Sequence, residues 1–136
     1  MDLMNSMDVS ATGMRAQTVR MRVASENIAN ANSAIGPDGQ NPYQRKLVSF
    51  QSVVDSKTGV NSVEVAKIAV DEKQSYKYEY NPQHPMADKN GLIKLPNIST
   101  LKEKTDLKDA ARAYEANLSA IDAAKTMMSR SLDILK

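Results

Sequence analysis

Met7, Met14, Met21 and Ile28 stand seven residues apart, and Met4, Ala11, Thr18 and Ser25 each precede one of them by three. Alternating steps of three and four keep residues on one face of an α-helix, so the pattern predicts a long amphipathic helix over Asp2 to Asn32. One row of its seam is large and the other small. Arg15, Arg20, Arg22 and Glu26 lie off the seam. At 1.5 Å per residue this helix is about 45 Å long, more than a small domain covers by itself. Toward the other end Leu107, Tyr114, Ile121, Met128 and Leu135 repeat at the same interval, and Ala111, Leu118, Lys125 and Leu132 follow the first four of them by four. A second long helix is predicted there, with Thr100 and Glu103 at the spacing of a capping box. Lys125 is the charged member of that seam, its stem laid along the apolar stripe and its ammonium reaching water or a carboxylate.

Between the helices the period changes. Gly36 to Pro42 is turn chemistry. Leu47 to Val54 is rich in β-formers, Val63, Val65, Ile68 and Val70 alternate with one slip as in a bulged strand, and Tyr76, Tyr78 and Tyr80 alternate with Lys77 and Glu79. Three short strands or an extended hairpin are expected. Leu92 to Leu95 is read as part of an extended arm returning to the second helix. The predicted fold is therefore mainly α with a small β insert. Residues 1–34 form an N-terminal helix, 35–98 a turn-rich linker and β arm, and 99–136 a C-terminal helix; the two heptad helices pair as an antiparallel-type coiled-coil core. Val9, Val19 and Val23 lie off the seam and need further neighbours, which points to a multi-helix assembly.

Composition narrows the function. A chain of 136 residues suggests one domain, and the hydrophobic share of 41% includes only 4% aromatics but eight Met. A core of Ala and Met without large rings is thin, so the chain reads as a component of an assembly. Eighteen Lys and Arg against sixteen Asp and Glu leave a net charge of +2 with interleaved signs, which is no footprint for DNA or an anionic membrane. The longest apolar run, Ile68 to Val70, is far too short for a membrane span or a signal peptide, and no Cys is present.

No catalytic constellation is found, and no enzyme, cofactor or metal is expected. His84 is the single His, set between prolines in Gln-His-Pro and read as a loop residue bonding nearby backbone. Asp88 to Gly91 resembles the opening of a calcium loop without its further acidic ligands and is read as a plain turn. Asp71 and Glu72, adjacent on a strand, point to opposite faces and cannot flank one bond. Tyr76, Tyr78 and Tyr80 with Lys73 and Lys77 are a conceivable stacking platform for single-stranded nucleic acid, but three such tyrosines more often form a packing face.

One segment is more specific. Ser25 to Ser33, Ser-Glu-Asn-Ile-Ala-Asn-Ala-Asn-Ser, resembles the signature at the end of the first helix in flagellar axial proteins of the rod and hook class. Gly36 to Gln40, Pro42 to Lys46, Tyr80 to Pro82, His84-Pro85, Ala87-Asp88, Asn90-Gly91, Leu95 to Asn97, Ala113 to Leu118 and Lys125 to Met128 continue the likeness in order, and the length is similar to that of the small proximal-rod type C. The resemblance implies a non-enzymatic subunit of the periplasm-spanning rod, exported unfolded by the flagellar type III apparatus without a cleavable signal. Its implied partners are copies of itself, the other rod proteins and the membrane ring at the rod base; no nucleic acid and no membrane insertion are implied.

On this reading Met7, Met14, Met21, Ile28, Leu107, Tyr114, Leu118, Ile121, Met128, Leu132 and Leu135 form the assembly interface. Asn27, Asn30 and Asn32 end the first helix by offering side-chain bonds that compete with its backbone ladder. Tyr43, Tyr76, Tyr78 and Tyr80 make contacts of the arm. The isolated helices are expected to fray, because a long stripe left in water offsets none of its ordering entropy. Another small rod or rod-adaptor protein of the same family is the alternative; a nucleic-acid adaptor and a wall-degrading enzyme rank far below.

Overall fold

The computed structural model describes residues 3–34, 41–56, 59–73 and 75–134. Its elements are α1 (Leu3–Ala29), β1 (Lys46–Val54), β2 (Asn61–Val70), β3 (Lys77–Tyr80), β4 (Leu92–Leu95) and α2 (Thr100–Ile134). The chain is thus mostly helical, with two two-stranded sheets, β1–β2 and β3–β4, between two long helices. The expected helix start at Asp2, the turn residues Gly36 to Gln40 and the seam residue Leu135 lie outside the described residues. No helix among the described residues is long and apolar enough to cross a membrane. The chain divides into two compact units: Met1–Met21, Val48–Lys67 and Lys108–Lys136 in the first, Arg22–Leu47 and Ile68–Leu107 in the second.

In the first unit the β1–β2 turn is closed by the Asp55 N–H to the Val60 carbonyl (3.0 Å) and the Gly59 N–H to the Asp55 carbonyl (2.7 Å). Gly59 takes a φ of 67°, a conformation that costs glycine nothing. The hairpin lies along α1: the Val63 N–H donates to Thr12 Oγ1 at 3.4 Å, Val9 sits with Val60 and Ser62, and Val19 with Val63 and Val65. Val9 and Val19, half-buried, thus find part of the neighbours they require in a strand pair of the same chain. Ser62 and Val65 are both half-buried although one is even and the other odd in number. Val63, Ile68 and Val70 are exposed, so the alternating row read from the sequence is not the covered face of β2.

The two helices also meet in this unit. A Cβ on Gly13 would lie 2.9 Å from Nδ2 of Asn117, so only glycine permits the present approach without displacing that amide. The inward rows differ from those read in the sequence. On α2, Tyr114, Ile121 and Met128 alternate with Ala110, Asn117 and Ala124, the residues four before each large one rather than three before. Leu118, Lys125 and Leu132 are exposed. On α1 the inward row follows Met7, Met14 and Met21 by three, with Ser10 and Gln17 here and Ala24 in the second unit, and Ala31, just past the helix, is buried three after Ile28, while Met4, Thr18 and Ser25 are exposed. A heptad has two candidate partner rows. Apolarity favours one, but small side chains that let two backbones approach closely decide for the other.

The second unit holds the end of α1, the start of α2 and the β3–β4 ribbon. β3 runs antiparallel to β4, with Lys77 opposite Leu95, Tyr78 opposite Lys94, Glu79 opposite Ile93 and Tyr80 opposite Leu92. Leu92 to Leu95, expected as part of an extended arm, is extended and is paired as a strand. Its pairing is hidden in the sequence because the long connection from Tyr80 carries no hairpin spacing. The turn before it is held by Asp88, whose Oδ1 accepts from the N–H groups of Asn90 (2.8 Å) and Leu92 (2.9 Å). Gly91 turns the chain at φ 75°.

At the start of α2, Ser99 Oγ accepts from the Lys102 N–H at 3.4 Å. Ser99, not Thr100, is the cap. Glu103 does not reach back along the helix as a capping box requires, because its carboxylate is drawn into the interior.

Candidate assembly surface and its polar anchor

At the last turns of α1 the buried stripe ends in an amide, Asn27, with 1% of its surface exposed. Its Nδ2 donates to the Lys46 carbonyl and to Glu103 Oε2, both at 2.9 Å; its Oδ1 accepts from the Lys46 N–H and the Tyr43 hydroxyl, both at 2.9 Å. Every donor and acceptor lobe of the amide is used. The two bonds to Lys46 mimic one rung of a β-ladder, so a helix residue serves as partner for the first residue of β1. Glu103, 2% exposed, receives Arg45 Nε at 2.7 Å on its other oxygen. Arg45 Nη1 lies 3.3 Å from Asp71 Oδ2, and the Asp71 N–H donates to the Arg45 carbonyl at 2.8 Å. Five side chains from both helix ends and both hairpin strand ends thus close one network.

The charges explain the ionisation. Burial alone would lower the proton affinity of Arg45, but its hydrogen bonds to and the charges of Glu103 and Asp71 outweigh that and hold it above its usual value. Tyr43 is pushed up to about 12, first by burial and then by the negative charges of Glu26 and Glu103. It remains a neutral hydroxyl that donates. The outer pair, Lys46 Nζ to Glu26 Oε2 at 3.1 Å, is well exposed and contributes little.

The residues singled out from sequence divide accordingly. Asn27 does not compete with its own helix, because all its bonds leave it; this corrects its reading as a helix stop. Asn30 does bond locally, Nδ2 to the Glu26 carbonyl at 2.8 Å, and Asn32 is exposed. Tyr43, expected as a contact of the arm, is buried against Asn27. Tyr76 is half-buried with the Lys94 ammonium 4.0 Å from its ring centre, while Tyr78 and Tyr80 are exposed. Met7, Met14, Met21, Ile28, Leu107, Tyr114, Ile121 and Met128 are half-buried. Arg45, Glu103 and Asp71 were missed. The available signal was a glutamate on the heptad row of Ala110 and Ala124, a position where an unpaired charge is costly.

Reactive chemistry does not gather. His84 Nδ1 accepts from the Met86 N–H at 3.1 Å. Among the described residues no group of three or more His, Asp or Glu is placed to hold a metal. What the fold leaves uncovered is apolar: Met4, Leu118, Met127, Leu132 and Ile134 are exposed, the last at 84%. In α2, Ala116, Ala120, Ala123, Met127 and Ile134 recur at helical steps on a face beside the packed one, and all are exposed. The apolar arc of this helix is wider than its single helical partner covers.

Comparison with known proteins agrees. The profile of the family described as flagellar basal body rod FlgEFG protein C-terminal matches residues 89–134. The flagellar basal-body rod protein FlgC of Agrobacterium fabrum is 41% identical over 128 residues, covering 94% of this chain and 91% of the relative. That of Salmonella typhimurium is 38% identical over 98% of both chains, and that of Bacillus subtilis 36% identical over all of both.

Proposed function

The chain belongs to the FlgC family of flagellar basal-body rod proteins and is a structural subunit of the rod; from that premise we propose that it assembles through its terminal helices in the proximal rod, where it transmits torque across the periplasm. The observation that carries this reading is the apolar surface left uncovered on both flanks of the packed row of α2, Leu118 and Leu132 on one and Met127 and Ile134 on the other, on a chain whose own core is largely alanine. An exposed face of this extent is a binding surface, and a shaft of packed helices covers it. The other rod proteins, copies of this chain, and the ring at the rod base are its partners. It is delivered by the flagellar export apparatus.

The same arrangement supports a division of labour. The anchor around Asn27 ties the end of α1, the start of α2, the first residue of β1 and the residue after β2 together before assembly, while Leu3 on α1 and Ile134 on α2 gain their full order from neighbours. The role requires rigid packing and no chemical step. An electron cryomicroscopy map of isolated basal bodies tests it: side-chain density for Leu118, Met127 and Leu132 in contact with neighbouring helices is expected. A basal body that lacks the chain, or one that leaves this face in solvent, would refute the proposal.

A further inference from the structure

One groove of the first unit lies between the helices on their outer side, with a volume of about 300 Å³, lined by Ala11, Met14, Arg15, Thr18, Tyr114 and Ile121. Its two rims carry opposite charge. Arg15 lines the α1 side of the groove, and Arg22 is exposed seven residues further along the same helix; beyond the α2 rim Glu115 and Asp122 are exposed, also seven apart, with Leu118 between them at 42% exposure. Seven residues are about two turns, or about 10.5 Å along a helix, so both pairs match in spacing. Among the described residues no ion pair joins any of these four side chains.

Resting on the rod-subunit reading above, we propose that the α2 ridge Glu115–Leu118–Asp122 of one copy docks on the α1 face Ala11–Arg15–Thr18–Arg22 of the next copy. Leu118 enters the groove between the small residues Ala11 and Thr18, as a knob enters a hole. Glu115 and Asp122 meet Arg15 and Arg22, and the common spacing lets both contacts form at once. A second copy is the occupant the charges favour. A ridge of one sign and a face of the other on the same chain cannot satisfy each other across a two-fold axis placed on either, but they fit head to tail, and a head-to-tail contact that does not close generates a helical array. The ion pairs set register and neighbour choice, while the buried leucine supplies the attraction.

Charge reversal tests this in cells that lack their own copy of the protein, with basal bodies isolated and the chain quantified in them. R15E/R22E and E115R/D122R, changes at exposed positions with folding checked by circular dichroism, should each lower incorporation at least about tenfold, since two attractions become repulsions. The quadruple variant should restore incorporation and motility. So should co-expression of the two double variants, because each then offers the other the opposite charge. If the double variants enter basal bodies like the unaltered chain, or if both lose assembly and neither rescue works, copies do not meet through these faces and the proposal falls. Absence of the unaltered chain from basal bodies would instead overturn the rod assignment itself.

Discussion

Replacing Asn27 with alanine removes four hydrogen bonds at a site with almost no access to water. Glu103 keeps its bond to Arg45 but loses a donor to its second oxygen, the Tyr43 hydroxyl loses its acceptor, and the Lys46 backbone loses both partners. A buried polar group left without a partner costs about 1–3 kcal/mol. Lys46 is half-buried, so water replaces part of its loss; the remaining groups give a total of about 3–5 kcal/mol, a large fraction of the stability of a small domain. With a urea m-value of about 1–2 kcal/mol/M, the unfolding midpoint of the purified chain should fall by roughly 2 M or more. Hydrogen exchange at the Lys46 amide, which donates to Asn27, gives a local readout of the same loss. Asn27→Asp should be at least as damaging, since it sets a second carboxylate against Glu103 and deletes both donors. Asn32→Ala, at an exposed position, is the control. A midpoint change in Asn27→Ala no larger than in Asn32→Ala would refute the anchor.

Other outcomes follow from the same structure. Because Tyr43 holds its proton up to about 12 when folded, against about 10 when unfolded, the unfolded chain ionises first as pH rises. Stability from this group is complete below about pH 10 and declines to about pH 12 by roughly 2–3 kcal/mol, a slope that urea titrations should show missing in Tyr43→Phe. Gly91→Ala combines a φ of 75° with a Cβ 2.9 Å from the Tyr80 ring and 3.1 Å from Pro82 Cβ. It should loosen the β3–β4 ribbon by about 1–3 kcal/mol, read as faster exchange of the Asn81 amide. Gly13→Ala displaces only the terminal amide of Asn117 and gains helix propensity of about 1 kcal/mol, so thermal unfolding should change little, whereas Gly13→Leu should lower the midpoint by several degrees.

Much of this protein is legible without coordinates because it is periodic. The heptads at both ends and the β-formers and tyrosines between them state which segments are helix and which strand, since those patterns follow from backbone geometry and need no knowledge of neighbours. Short-range polar readings hold for the same reason: His84, Asp88 and Asn30 bond within four residues of themselves.

Tertiary structure alone decided three things. Which of two heptad rows faces inward depends on the closest approach of two backbones, so Ala110, Ala124 and Gly13 prevailed over Leu118 and Leu132. Whether Glu103 caps its helix or enters the interior depends on Arg45 and Asn27, 58 and 76 residues away. Whether the extended Leu92 to Leu95 is paired as a strand depends on finding Tyr80. Period is a property of one segment and can be read along the chain; choosing between partners of equal period is a property of two segments, settled only when they meet.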